Sequence, residues 1–298
     1  MSHQHSQKKI LLIGSKGQLG QELCRTAHAD LDLYGTDIDE LDITDKKAVL
    51  EFISKHKPDW IINAAAYTNV DRAEQERDLA FSINRDGALF LARAARENNA
   101  RLIQISTDYI FNGKKNTPYT TEDIADPLSV YGASKYAGEI AVLKELGNRS
   151  TIVRTAWLYS VYGRNFVKTI LHAIKVKDEI QVIDDQTGTP TWAYGLANTL
   201  WKMVEKGSSG IYNWTDGGAT TWYDLAVAIQ QETTEPGLHA SANTCNIRPV
   251  RTQDYPASAT RPGYSVLDKT GTFKELGVEA PHWRKALREM LSGLKLNT

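Results

Sequence analysis

Cysteine is nearly missing from this chain. Cys24 and Cys245 are the only two among 298 residues, and neither has a neighbour at metal-ligand spacing. A disulfide framework is not expected, and a reducing cytoplasm is the expected setting. Cys24 falls within the first helical pattern and is expected to be a small core residue. Long apolar runs are missing as well: none approaches the roughly 20 residues that span a bilayer. The polar start, Met1 to Lys9, leads into only four aliphatics, Ile10 to Ile13, so neither a signal peptide nor an anchor is expected. Nor is there an excess of either charge. Lys and Arg total 35 against 36 Asp and Glu, a formal net charge of −1, which gives no global attraction to nucleic acid or anionic membrane. Any anionic ligand must be held by local donors. The histidines are scattered, so no metal ligand is assigned, and no internal repeat is present.

The chain does show regular alternation in its first half. Lys9–Gly14, Leu31–Thr36, Trp60–Ala65, Arg101–Ser106 and Thr151–Trp157 read as strands. Between them, Gln18–His28, Asp45–Lys57, Arg72–Asn98 (one long helix or two short ones) and Tyr131–Leu146 read as helices. Strands without polar alternation, separated by helices, predict an α/β fold with a parallel sheet buried on both faces. Short right-handed connections make that a Rossmann-type doubly wound sheet. Beyond residue 157 the pattern loosens. Helices are expected at Asn165–Lys175, Tyr194–Glu205, Trp222–Gln231 and His282–Leu291, a loop at Asp184–Pro190, and largely irregular chain over 233–265. Residues 1–156 are expected to form a nucleotide-binding domain. Residues 157–298 would form a smaller substrate-binding lobe, with some segments returning to the sheet across a soft boundary.

Three features carry chemistry. Gly14-Ser-Lys-Gly17-Gln18-Leu19-Gly20 follows a buried strand and opens a helix. That context suits a dinucleotide: a tight turn, backbone close to the pyrophosphate, and a helix N-terminus for its charge. The spacing is G-x-x-G-x-x-G, and a glycine triplet also makes a plain turn. Asp37 ends the second strand, 23 residues past Gly14, where a carboxylate accepts from adenosine ribose hydroxyls or simply serves a turn. It repels a 2′-phosphate and Lys16 partly offsets that, so NADH and NADPH both stay open. Tyr131 and Lys135 lie one helical turn apart on one face. An ammonium beside a phenol is expected to lower the Tyr pKa from about 10 toward the range of a working acid. Thr107, 24 residues before Tyr131, ends the fourth strand, where hydroxyls reach the ligand crevice.

In this order the features resemble the extended short-chain dehydrogenase/reductases acting on nucleotide sugars, and more narrowly the dTDP-4-dehydrorhamnose reductase family. The narrower resemblance rests on Asn63-Ala-Ala-Ala-Tyr67-Thr68 with Val70-Asp71 and Ala73-Glu74, Ser106–Phe111, Tyr131-Gly-Ala-Ser-Lys135, Arg154-Thr155 with Trp157, and Asn165–Thr169. It continues through Asp185-Gln186, Gly188–Thr191, Thr221-Trp222 and Arg261-Pro-Gly263, spanning nearly the whole chain. The resemblance implies NAD(P)H-dependent reduction of the C4 keto group of a dTDP-sugar to dTDP-L-rhamnose, by a monomer or homodimer. Tyr131 would give the proton, Lys135 would bind the nicotinamide ribose, and Thr107 would polarise the carbonyl. Gly14, Gly17, Gln18, Leu19, Gly20, Asp37, Asp42, Ile43, Ala64, Ala65 and Ala66 would hold the cofactor. Asp108, Trp157 and Asn165 would meet the sugar and Arg261 the diphosphate, although Trp157 also suits a core and Arg261 a surface ion pair. Some members hold carboxylate-bound magnesium at a dimer contact. Glu22 is retained here, but the glutamate that follows the Gly188–Thr191 block aligns with Tyr194, which disfavours magnesium. A 4,6-dehydratase needs Asp-Glu after the Thr, and Asp108-Tyr109 lacks the glutamate. A 4-epimerase would be told apart by whether added cofactor is consumed, while the intact Thr107, Tyr131 and Lys135 set argues against a non-catalytic subunit resembling the regulatory subunit of methionine adenosyltransferase.

Overall fold

The computed structural model describes residues 7–234 and 245–295. The first six residues of the polar start and residues 235–244 of the stretch read as irregular lie outside that range. The central sheet is parallel throughout. Its first five strands in chain order are β1 (Lys8–Ile13), β2 (Leu31–Thr36), β3 (Trp60–Asn63), β4 (Arg101–Thr107) and β5 (Ser150–Thr155). The spatial order is β2-β1-β3-β4-β5, with Gly210–Asn213 as a sixth strand beyond β5. The order reverses between β1 and β3, and in such sheets ligands bind outside the carboxyl ends of the strands at that reversal.

Burial on both sides explains why β1 shows no polar alternation. Ile10 and Leu12 pack with Leu19, Leu23, Leu196 and Leu200 on one face. Leu11 and Ile13 pack with Val49, Ile53, Leu91 and Val142 on the other. Each fully buried side chain of this kind contributes about 1.5–3 kcal/mol. The helix Gln18–Thr26 turns Leu19, Leu23 and Glu22 inward. Cys24, one step further round, faces out and is exposed, contrary to the core position expected of it. The helix Lys46–His56 is capped by Asp45, which accepts from the Lys47 and Ala48 amides, a cap worth about 1 kcal/mol.

The stretch 72–98 is neither one helix nor two. It breaks into Val70–Ala73, Arg77–Phe81, a π-helical turn Ser82–Gly87, and Ala88–Glu97. The wide turn places Asn84 so that Oδ1 accepts from Tyr67 N at 2.9 Å and Nδ2 donates to Ser134 Oγ at 2.9 Å. It thereby ties the loop after β3 to the helix Val130–Leu146. In the second half, Glu179–Ile183 pairs in parallel with Asn246–Val250, a strand inside the stretch expected to be irregular. Thr187–Gly188, within the expected loop 184–190, pairs with Thr220–Thr221. A separate core of Tyr159, Val167, Ile170, Leu225, Ile229 and Leu287 supports this half.

Candidate active site

The glycine loop owes its shape to close approach. Gly14 has φ +80, and a Cβ there would lie 2.7 Å from Ala65 N; a Cβ on Gly20 would lie 2.1 Å from Gly14 O. Gly14 N and Ser15 N both donate to Thr36 O, at 2.9 and 3.0 Å. Gly17 precedes the helix without a side-chain cap, so its first amides face the space in front of the loop, as an anion site requires. Ala65 packs beneath the loop, while Ala64 and Ala66 line a crevice of about 500 Å³ with Gly17, Gln18 and Leu19. This glycine cradle and its open amides fit a dinucleotide pyrophosphate.

Asp37 lies at the end of β2. Its Oδ2 accepts from Lys16 N at 2.8 Å and its Oδ1 from Ile38 N at 2.9 Å, so it fixes the loop as well as offering a carboxylate. The Lys16 ammonium pairs with Asp39 at 2.5 Å. Asp42 and Ile43 lie outside the crevice lining: Asp42 Oδ1 holds Thr44 N at 2.8 Å and Thr44 Oγ1 at 2.7 Å, and Ile43 is buried against Gly87.

Thr107, Tyr131 and Lys135 converge on the same crevice. Ser129 caps the helix that carries the last two, accepting from Gly132 N at 3.2 Å. A Cβ on Gly138 would meet Asn84 O at 2.2 Å, so the helix packs closely on the π-helical turn. Lys135 is buried and its Nζ donates to Ile105 O at 2.6 Å. Burial draws its ammonium down to about 8, opposed by the Glu139 carboxylate one turn further on. Glu139 is itself buried against Arg154, Oε2 to Nη2 2.8 Å. The expected fall of the Tyr131 pKa is absent. Burial pushes the phenol up to about 12, with a hydrogen bond from Thr107 acting the other way. Desolvation outweighs a lysine whose ammonium is held on a backbone carbonyl. The phenol therefore stays protonated at neutral pH, the state a proton donor needs.

Thr107 Oγ1 donates to Asp108 Oδ1 at 3.1 Å and accepts from Tyr109 N at 3.2 Å. Asp108 is buried, which pushes its carboxyl up to about 7. Where a dehydratase glutamate would stand, the Tyr109 ring meets Tyr131 edge-on, centroids 5.8 Å apart. Trp157 is a crevice wall. Its φ of +46 is strained for a bulky side chain, by about 1–3 kcal/mol. It stacks on Trp222 at 3.5 Å, and Gly188 packs so close to its indole that a Cβ there would lie 2.6 Å from the ring.

Asn165 does not line the crevice. It caps the next helix, Oδ1 accepting from Lys168 N at 3.0 Å, and its Nδ2 donates to Gln18 Oε1 at 2.9 Å and Ser160 O at 2.7 Å. Arg261 lines a second cavity of about 310 Å³, which shares Trp222 with the first. There it is paired with Asp71, Nη2 to Oδ2 2.6 Å, with side-chain exposure of only 19%. It is thus both an ion pair and a cavity wall. Sequence reasoning missed Glu139, Trp222 and Arg164 as site residues. Two of these carried a signal: Glu139 as the third member of the i, i+4 series Tyr131, Lys135, Glu139, and Trp222 within the Thr221-Trp222 block.

The carboxylates do not fit magnesium. Glu22 is fully buried; its Oε2 takes Arg25 Nη2 at 2.8 Å and its Oε1 takes Ser160 Oγ at 2.7 Å. The Arg25 guanidinium lies 4.7 Å over the Tyr194 ring, so a built-in cation already neutralises the carboxylate. Among the described residues no group of three His, Cys, Asp or Glu side chains could hold a metal.

Comparison with known proteins agrees with this geometry. The family model described as RmlD substrate binding domain matches residues 8–296. The dTDP-4-dehydrorhamnose reductase of Aggregatibacter actinomycetemcomitans is 39% identical over 290 residues, covering 95% of this chain and 98% of that protein. The spore coat polysaccharide biosynthesis protein SpsK of Bacillus subtilis is 38% identical, with 95% and 96% covered. A crystal structure of dTDP-4-dehydrorhamnose reductase from Bacillus anthracis in complex with NADP superposes with TM-score 0.91 at 36% identity, covering 96% of this chain and 99% of that one. With the family model matched over nearly its whole length, the chain belongs to the RmlD substrate binding domain family.

Proposed function

We propose that this protein is an NAD(P)H-dependent oxidoreductase that reduces the C4 keto group of dTDP-4-dehydro-L-rhamnose to give dTDP-L-rhamnose, in cytoplasmic polysaccharide-precursor synthesis. The observation that carries this reading is the convergence of Thr107, Tyr131 and Lys135 beside the glycine loop in one crevice. When bound, the nicotinamide supplies the hydride that reaches C4. Tyr131 gives its phenolic proton to O4, and its protonated state at neutral pH matches that direction of transfer. Thr107 donates to the same oxygen by turning its hydroxyl from Asp108. Lys135, anchored on Ile105 O, holds the nicotinamide ribose.

The glycine loop with Gln18 and Leu19 takes the pyrophosphate, Ala64 to Ala66 allow close approach, and Asp37 with Asp42 and Ile43 forms the adenosine end. Trp157 and Asp108 bound the sugar. Arg261, in the wall of the second cavity, takes the sugar diphosphate by exchanging Asp71 for phosphate oxygens. Residues 1–156 supply the nucleotide-binding part and 157–298 the substrate lobe, with Gly210–Asn213 contributed back to the sheet. The test is cofactor oxidation against a panel of nucleotide 4-keto-6-deoxy sugars, with NMR identification of the product. Stoichiometric oxidation with dTDP-4-dehydro-L-rhamnose supports the reading; cofactor left unconsumed while the sugar epimerises refutes it.

A further inference from the structure

The connection from Ser160 to Asn165 forms a strap across the start of the helix Gln18–Thr26. Gly163, at φ +62, lies so near Gln18 that a Cβ would stand 2.8 Å from its Cγ. Asn165 Nδ2 donates to Gln18 Oε1 at 2.9 Å. Ser160 Oγ donates to Glu22 Oε1 at 2.7 Å. Arg164 is therefore flanked on both sides by residues fixed to Gln18. Its exposed side chain lines the crevice with Gly17 and Gln18, and it makes no ion pair or hydrogen bond with the described residues. Among the described residues, only two cations line this crevice. The other, Lys135, is already committed to Ile105 O.

An unpartnered guanidinium and a set of uncapped helix amides thus address one space from opposite lobes. Both seek the same ligand chemistry, a diphosphate dianion. The geometry points to Arg164 as a cross-lobe clamp on the cofactor pyrophosphate, closing over it from the substrate lobe while the glycine loop holds it from below. This rests on the reading that the crevice binds a dinucleotide. The strap also explains why Asn165 is spent on Gln18: it aims its neighbour.

The test is fluorescence titration of the wild type, Arg164→Ala and Arg164→Lys with NADPH and with NADH, without sugar nucleotide, at two salt concentrations. Arg164→Ala is expected to raise Kd for both cofactors about tenfold, ~1.4 kcal/mol, and to flatten the salt dependence. Arg164→Lys should recover part of the loss, because the charge returns without the fork. Melting temperature should stay unchanged, since the side chain is exposed. An unchanged Kd overturns the clamp, as does a loss confined to NADPH, which would place Arg164 at the 2′-phosphate. An unchanged Kd with a raised KM for the sugar nucleotide would assign it to the substrate diphosphate instead. A wild type that binds neither cofactor would overturn the crevice reading itself, a result distinct from failure of the clamp.

Discussion

Replacing Tyr131 by Phe removes one oxygen from the crevice and leaves the ring that packs edge-on against Tyr109. The ring keeps its packing, so the variant folds. Its chemical cost is large. The phenol is pushed up to about 12 and is fully protonated at neutral pH, so it is the residue poised to neutralise the alkoxide. Thr107 can turn its hydroxyl from Asp108 to hydrogen-bond the same oxygen, but an aliphatic hydroxyl is a much weaker acid than a phenol and does not replace it as proton donor. A positioned general acid contributes roughly 10²–10⁴-fold, or ~3–5 kcal/mol of barrier. The loss should fall on kcat and kcat/KM together. Cofactor Kd should stay within about twofold by the same energetic reasoning, because Lys135 is held by Ile105 O and not by the phenol. Initial-rate measurement of cofactor oxidation, with a parallel binding titration, gives both quantities. Turnover within about tenfold of wild type would refute the assignment of the acid.

Other perturbations follow from the same geometry. Burial draws the Lys135 ammonium down to about 8, and in the proposed role its charged form is the one that binds. kcat/KM for the cofactor should therefore hold below that pH and fall above it; a profile level from roughly pH 6 to 10 contradicts the role. Asp37→Ala should shift preference toward NADPH, measured as the ratio of kcat/KM values, because the like-charge repulsion of a 2′-phosphate is gone. An unchanged ratio refutes the ribose assignment. Burial pushes Asp216 up to about 8, above an unfolded value of about 3.9. Its contribution to stability is thus complete below about pH 4 and lost as pH rises to about 8. Trp192 N donates to Asp216 Oδ2 at 2.9 Å; Asp216→Asn keeps an acceptor there and removes that loss, so the difference in Tm should move in favour of the variant across this window. A constant difference would show that the carboxyl does not titrate there.

Much of the first half was legible because its strands are continuous apolar runs between amphipathic helices, a pattern that burial on two faces imposes. The glycine loop and the Tyr131, Lys135 pair were legible because local spacing fixes their placement. What escaped depended on partners remote in sequence. Gly210–Asn213 is too short to show a period, and becomes a strand only because β5 offers an open edge. Asn246–Val250 contains Pro249, which argues against a strand, yet it pairs with Glu179–Ile183 in a two-stranded sheet, where a missing donor is tolerated. The π-helical turn has no compositional mark. The direction of the Tyr131 shift was misjudged because spacing reveals a neighbouring charge but not the desolvation that outweighs it. Asn165 was expected at the sugar and Arg164 drew no expectation for a similar reason: only the fold shows that one is consumed by Gln18 while the other is left facing the crevice.

Hydride transfer to C4 is the central claim, and the most direct measurement follows the isotope. Cofactor carrying deuterium at nicotinamide C4, on the face that is transferred, is turned over with dTDP-4-dehydro-L-rhamnose in excess and the product examined by NMR. One deuterium at sugar C4 per cofactor oxidised is the predicted result. Deuterium retained in the cofactor, or found at another sugar carbon, would contradict it.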